Sequence, residues 1–335
     1  MLGFFLPLYI ISVVSSYDLN DRFVSWYKHH NVSFENDGHY VNTFDKWYEN
    51  DHFINTYNSI ENGSLLAHNQ FSGLNSSEFR VFLGTFKKQK TAFFGTRNKV
   101  RGVYLDGDVT TSVNWKENGG VTPVKNQGQC GSCWSFSTTG ALEGAYFAKY
   151  GSLISFSEQQ LVDCDTRRNG GGDNGCNGGL MDYAFSWITK NNGLCTEEEY
   201  PYVSGNTKTS GTRNSSCTNV KGSKIGNFID VPPSSDQQMM LALMKQPVAV
   251  AIQADERAFQ LYSSGILKGS CGTGLDHGVL AVGYGSDSGG DYYLVKNSWG
   301  EDWGENGYIR IGRGDDYNNG DGQCGILLQA SYPVL

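Results

Sequence analysis

Val121-Thr-Pro-Val-Lys-Asn-Gln127-Gly-Gln-Cys130-Gly-Ser-Cys133-Trp134-Ser-Phe-Ser-Thr-Thr-Gly-Ala-Leu-Glu143 joins a Gly- and Gln-rich turn to a run with helical periodicity. Cys133 falls in the first turn of that predicted helix, where unpaired backbone N–H groups and the helix dipole favour an anion. A thiolate is such an anion. Beside an imidazolium, a helix N-terminus lowers a cysteine pKa from about 8.5 to roughly 3–4. The backbone N–H of Cys133 and the side-chain amide of Gln127 are placed to bind a developing oxyanion. Cys130-x-x-Cys133 also admits a zinc or a thioredoxin-like redox reading, but neither a second ligand pair nor a βαβ context accompanies it. A structural disulfide is the remaining ordinary use of Cys133.

A nucleophilic thiol needs a base, and the base needs a third group to hold its tautomer. Working outward, His277 in Leu275-Asp-His-Gly-Val-Leu-Ala-Val-Gly-Tyr-Gly285 precedes a predicted strand, and Asn297 in Tyr293-Leu-Val-Lys-Asn-Ser-Trp-Gly300 ends one. An Asn amide accepts the imidazole N–H without adding charge, and Trp299 is positioned to shield that bond from water. The other histidines (His29, His30, His39, His52 and His68) all lie in the N-terminal third. Helical texture covers residues 133 to 150 and 179 to 191, whereas Pro247–Ile252, Gly278–Tyr284, Tyr292–Asn297 and Gly307–Ile311 read as strands. Helices first and strands second predict an α+β fold with a helical half and a sheet half. Between its glycines, residues 170 to 179 read as a loop whose backbone approaches a ligand.

Across all 335 residues, 39% are hydrophobic, enough for a substantial core, and the net charge of −8 argues against a nucleic-acid or anionic-membrane partner. Residues 1–16 form an apolar run ending in small residues, the layout of a secretory leader, and no later run reaches the ~20 apolar residues of a membrane span. All eight cysteines lie at or after Cys130, which points to disulfides in an oxidising compartment and separates a cysteine-free N-terminal module. Asn31, Asn62, Asn75 and Asn214 begin glycosylation sequons. Within the N-terminal module, Phe44, Trp47, Tyr48, Phe53, Ile54 and Tyr57 recur at helical spacing and predict an apolar stripe. From Lys87 to Asp108 the chain turns basic and Gly-containing, as an exposed linker does.

Gln127, Cys130-Gly-Ser-Cys133-Trp134, Asp276-His277-Gly278 and Asn297-Ser-Trp-Gly300 resemble the papain family of cysteine peptidases, and Gly175-Cys-Asn-Gly-Gly-Leu-Met181 is similar to its cathepsin L branch. The resemblance covers about residues 110 to 335 and implies a two-lobed α+β fold, with a helical left lobe and an antiparallel, β-barrel-like right lobe. It implies that Cys133 attacks the scissile carbonyl, His277 protonates the leaving amine and Asn297 orients His277, with Gln127 at the oxyanion. It implies bridges Cys130–Cys176, Cys164–Cys217 and Cys271–Cys324, leaving Cys195 as a buried thiol or a site of intermolecular pairing.

Gly178 and Gly179 would offer backbone to an extended peptide, with Trp299 also among the substrate-contacting residues. Leu180, Met181, Ala251 and Gly278 would line the pocket for the residue second on the acyl side of the cut, favouring apolar or aromatic groups. Gln329 would stand at its base, where relatives with apolar preference carry a small residue, and would admit polar or basic groups. The implied layout is a signal peptide (1–16), an inhibitory propeptide (17–107) and a mature peptidase (108–335) beginning between about Asp106 and Thr110. Asn50, Ile54, Asn58, Asn69 and Phe71 match the pro-region motifs, whereas His39, Thr43, Trp47, Ala67 and Gly73 depart from them. The implied partners are protein or peptide substrates, the chain's own pro-region and cystatin-like inhibitors; no cofactor or metal is expected, and the chain is expected to be monomeric, lysosomal or extracellular. A catalytically silent relative is the competing reading, against which Cys133, His277, Asn297 and Gln127 are all present.

Overall fold

The computed structural model describes residues 8–60, 63–84, 99–100, 103–212, 216–269 and 271–335. Residues 1–7 of the expected leader lie outside them, as do most of the linker and the sequons at Asn62 and Asn214; residues 8–16 begin helix α1. Among the described residues no helix is long and apolar enough to cross a membrane.

Helices α1 (Leu8–His29) and α2 (Asp37–Asn58) meet through a small aromatic core of Phe23, Trp26 and Trp47, with Phe34, Tyr40 and Phe44 around it. Helix α2 starts where the Asn36 side chain accepts the His39 N–H, an N-cap that satisfies an otherwise open donor. The predicted stripe divides along α2: Trp47 faces α1, while Ile54 and Tyr57 join the main core of the sheet half, and Tyr48 stays exposed. Strand β1 (Ser64–Leu66) follows, then the short α3 (Ser76–Phe79), opened by an Asn75/Glu78 capping box.

Three helices build the helical half: α4 (Cys133–Tyr150), α5 (Glu158–Cys164) and α6 (Met181–Asn191). Helix α4 is buried over most of its length because it runs between this half and the sheet. Its close approach rests on glycines four residues apart, since a Cβ at Gly140 would lie 2.7 Å from Leu280 Cδ2 and one at Gly144 would lie 2.4 Å from the Pro247 ring. Gly144→Ala therefore sets a helix-propensity gain of ~1 kcal/mol against an overpacking cost of ~1–3 kcal/mol. The clash prevails, and the expected result is a melting temperature lowered by a few degrees in thermal unfolding. An unchanged or higher value would show that Pro247 yields freely.

The remaining elements, in chain order, are β2 (Lys99–Val100), β3 (Val113–Asn114), α7 (Ser204–Thr207), β4 (Asn227–Asp230), α8 (Asp236–Leu243), β5 (Val248–Ile252), α9 (Arg257–Gln260), β6 (Tyr262–Leu267), β7 (His277–Asp287), β8 (Gly290–Lys296), β9 (Tyr308–Gly312) and β10 (Ala330–Val334). They pair in the order β1-β6-β9-β8-β7-β5-β10-β4-β2, with β3 on β7. Most pairs are antiparallel, but β6–β9 and β2–β4 are parallel, and the path stays open between β1 and β2. The right lobe is thus barrel-like without closing. Alternating residues of β5 and β7 serve two cores: Val248, Val250, Val279 and Ala281 face the sheet-half core, and Ala249, Ala251, Leu280 and Val282 face the helical half. The α+β architecture places the first residue of α4 beside the first residue of β7, where the candidate site lies.

Candidate active site

Cys133 opens α4 and is fully buried; His277 opens β7 and is buried too. Gly278, the residue after His277, donates its N–H to Cys133 Sγ at 3.3 Å, which sets the thiol beside the His277–Gly278 peptide. A Cβ at Gly278 would stand 3.2 Å from Trp134 Cα, so a glycine here permits the helix and strand to meet. Asn297 follows β8 and pairs with the ring of His277 (Nε2···Oδ1, 2.8 Å). The Ser298 N–H also donates to Asn297 Oδ1, at 2.8 Å, which orients that amide and requires His277 Nε2 to carry the proton. Among the described residues Nδ1 has no hydrogen-bond partner, and it is the nitrogen available to the thiol. Trp299 stacks on His277 with ring centroids 4.6 Å apart and covers the pair.

The side-chain amide expected at the oxyanion is already occupied. Gln127 Nε2 donates to Phe82 O and to Cys130 O, both at 2.9 Å, while Gln127 Oε1 accepts from Ser298 Oγ. Gly84 N–H donates to Asp276 O at 2.8 Å, and the Gly84 backbone lies close enough to the Cys133 sulfur to favour its thiolate. Residues 82–84 of the N-terminal module therefore lie across the thiol. Behind them Phe71 and Phe79 pack edge-on against Trp299, Gln70 Nε2 donates to Trp299 O, and Asn69 Nδ2 donates to Gln260 O. Strand β1 extends the sheet at β6, so backbone pairing anchors the module some 200 residues along the chain.

This cover sets the protonation states. Burial pushes the Cys133 thiol up to about 12, opposed by the Gly278 N–H and reinforced by the Asp276 carboxylate. Burial also takes His277 down to about 4, opposed by its bond to Asn297. Burial thus disfavours both the thiolate and the imidazolium in the covered cleft, and the ion pair that the sequence predicts needs water and its dielectric readmitted.

Leu180, Met181 and Gln329 come together around a cavity of about 220 Å³, which Asp182, Asp230, Val231 and Pro233 also line. Ala251 and Gly278, expected in that lining, sit behind it: they pair with each other across β5 and β7, and the Cβ position of Gly278 touches Met181 Sδ. Gln329 is exposed on the cavity wall and not closed into a base. The two aspartates are the residues sequence reasoning missed; Asp182 directly follows the Leu180-Met181 pair that marked the pocket. Trp299 lies on the far side of the cleft, buried under the N-terminal module, and makes no part of this cavity. Gly178 and Gly179 lie beside it, with Gly178 at φ +100°.

Bridges join Cys130 to Cys176 and Cys271 to Cys324, as expected, but Cys217 bonds Cys195 in place of Cys164. The backbone explains the correction. Val220 N–H donates to Leu194 O, Cys195 N–H to Gln160 Oε1, and Asn219 Nδ2 to Asn191 O, so the segment carrying Cys217 is laid along the one carrying Cys195. Cys164 is buried at the end of α5 and takes no part in that bridge.

A family model described as papain family cysteine protease matches residues 109–334. The probable cysteine protease RD21C of Arabidopsis thaliana is 44% identical over 296 residues, which is 87% of this chain and 62% of that relative, so the chain spans about three fifths of the relative's length. Among solved structures, a recombinant stem bromelain precursor superposes with a TM-score of 0.81 at 34% identity, covering 95% of this chain and 99% of its own. The digestive procathepsin L 3 of Tenebrio molitor larval midgut gives a TM-score of 0.81 at 36% identity, with 95% and 99% covered.

Proposed function

The chain belongs to the papain family of cysteine proteases, and from that premise we propose that it is the precursor of a cysteine endopeptidase with Cys133, His277, Asn297 and Gln127 as its catalytic residues. The observation that carries the reading is the Gln127 amide donating to a main-chain carbonyl laid over the thiol beside an Asn-held imidazole. Such a site already holds peptide backbone. Once uncovered, the Cys133 thiolate attacks the scissile carbonyl carbon, and the oxygen that gains charge is held by Gln127 Nε2–H and the Cys133 N–H. His277 passes its proton to the leaving amine as the C–N bond breaks, then takes one from the water that hydrolyses the thioester. Residues 17–107 act as the inhibitor in cis after a leader (1–16) directs the chain to the secretory pathway, and residues 108–335 form the mature enzyme, which acts on proteins or peptides in a lysosomal or extracellular space.

The substrate strand runs along Gly178 and Gly179, and the cavity behind Leu180 and Met181 takes the side chain second on the acyl side of the cut. Apolar walls favour bulky apolar or aromatic groups, while Gln329, Asp182 and Asp230 extend acceptance to basic ones. The test is a peptide-library profile of the trimmed enzyme and of Gln329→Ala. The variant is expected to gain about threefold to tenfold in relative kcat/KM for large apolar residues at that position, the value of roughly one buried methylene at about 0.8 kcal/mol. An unchanged profile would remove Gln329 from the specificity pocket.

A further inference from the structure

The loop from Asp165 to Leu180, between α5 and α6, is held from beneath by two buried carboxyls. Asp165 Oδ1 accepts the Gly172 N–H at 3.0 Å, and Asp173 Oδ1 accepts the Leu180 N–H at 2.8 Å. Asp165 is fully buried and Asp173 is 3% exposed. A Cβ at Gly171 would meet Asp165 Oδ1 at 1.8 Å and one at Gly179 would meet Asp173 Oδ1 at 2.6 Å, so both carboxyls press directly on the loop backbone. Their outer oxygens, Asp165 Oδ2 and Asp173 Oδ2, find no N–H donor among the described residues, and the two carboxyls lie within hydrogen-bonding reach of each other. Two carboxyls bond to each other only with a proton between them.

We propose that Asp165 and Asp173 are positioning residues whose shared proton holds the strand Gly178–Leu180 in its peptide-binding conformation, and that loss of the proton releases the strand. The proposal rests on the reading of that strand as the substrate backbone site. Neighbouring charges do not relieve the pair: from α6, Asp182 adds repulsion at Asp173, and Lys190 attracts Asp165 while its ammonium donates to Gly170 O at 3.2 Å. Arg167 and Arg168 on the loop itself are exposed to solvent. Burial pushes Asp165 up to about 6, and burial with the Asp165 charge raises Asp173 well above the carboxylate range. Both lie above the unfolded value of about 3.9. The folded loop thus binds more protons than the unfolded one, and its stability is present at acid pH and lost as pH rises through the raised values.

Leu180 N–H loses its acceptor geometry when the carboxyls repel, and the strand with it, so KM is the parameter that responds. In the trimmed enzyme KM is expected to rise about tenfold, beyond any change in kcat, as pH is raised above about 6 through the range in which the pair loses its remaining proton. Asp173→Asn keeps an acceptor for Leu180 and supplies an N–H to Asp165, so its KM is expected to lose that rise; Asp165→Asn should do the same. A variant that retains the wild-type rise in KM overturns the proposal. Amide hydrogen exchange of residues 171–180 in the intact chain, corrected for intrinsic rate, reads the loop without catalysis. Protection falling with pH in wild type but not in Asp173→Asn supports the switch, and protection independent of pH in wild type refutes it. A loop that switches while KM does not would instead refute the assignment of the strand to substrate.

Discussion

Replacing Cys133 by Ala is expected to lower peptide hydrolysis by roughly 10⁵-fold, the loss typical of a removed nucleophile. Where maturation is autocatalytic, the variant also stays full-length at acid pH. The fold should survive, because the hydrogen bond that the thiol accepts from the Gly278 N–H is long, at 3.3 Å, and one lost hydrogen bond costs ~1 kcal/mol. A melting temperature near that of wild type, together with lost cleavage, separates chemistry from misfolding. Normal cleavage by the variant would remove Cys133 from the mechanism.

The second large effect is the reactivity of the same thiol before and after the N-terminal module leaves. With Cys133 pushed up to about 12, only about one thiol in 10⁵ is ionised at pH 7, and alkylation of the intact chain is expected to speed up about tenfold per pH unit from pH 6 to pH 9. Uncovering the cleft restores solvent and dielectric to His277, whose imidazolium then stabilises the thiolate, so the trimmed chain should alkylate at a nearly constant rate across that range. The lower basicity of the paired thiolate offsets part of the gain in ionised fraction, leaving about a tenfold to hundredfold advantage at pH 7, to which removal of the steric cover adds. Stopped-flow alkylation at several pH values measures both slopes. Equal slopes in the two forms would mean that residues 82–84 do not control ionisation.

Periodicity made much of the architecture after residue 130 legible. The predicted helix at 133 to 150 is α4, and each of the four predicted strands overlaps β5, β7, β8 or β9 within a few residues. His277 and Asn297 could be singled out because each stands at a strand terminus next to aromatic or Gly punctuation. Long-range pairing left no such trace. Nothing local in Ser64–Leu66 announces that it will join the edge of β6, and nothing in Phe82 marks its carbonyl as the partner of Gln127. Cysteine pairing failed for a related reason: Cys164 and Cys195 are both buried in the helical half, and the choice between them depends on how residues 217–220 are threaded, which Val220 and Asn219 decide through backbone contacts. The Asp165–Asp173 contact was equally hidden, since it forms when a Gly-rich loop folds back on itself.

The covered cleft also accounts for how one chain carries both a reactive thiol and its restraint. The same Gln127 amide that would hold an oxyanion is taken by Phe82 O, and the same Trp299 that shields the His277–Asn297 bond is the surface on which Phe71 and Phe79 rest. On the proposed function, inhibition and catalysis compete for identical groups. The measurement that tests this most directly is incubation of the purified precursor at mildly acidic pH with a thiol reductant, then labelling with an epoxide that alkylates active-site cysteines and mapping of the labelled peptide. The expected result is label on Cys133 in a shortened chain beginning near Asp108; label on another cysteine, or an unlabelled full-length protein, would contradict the account.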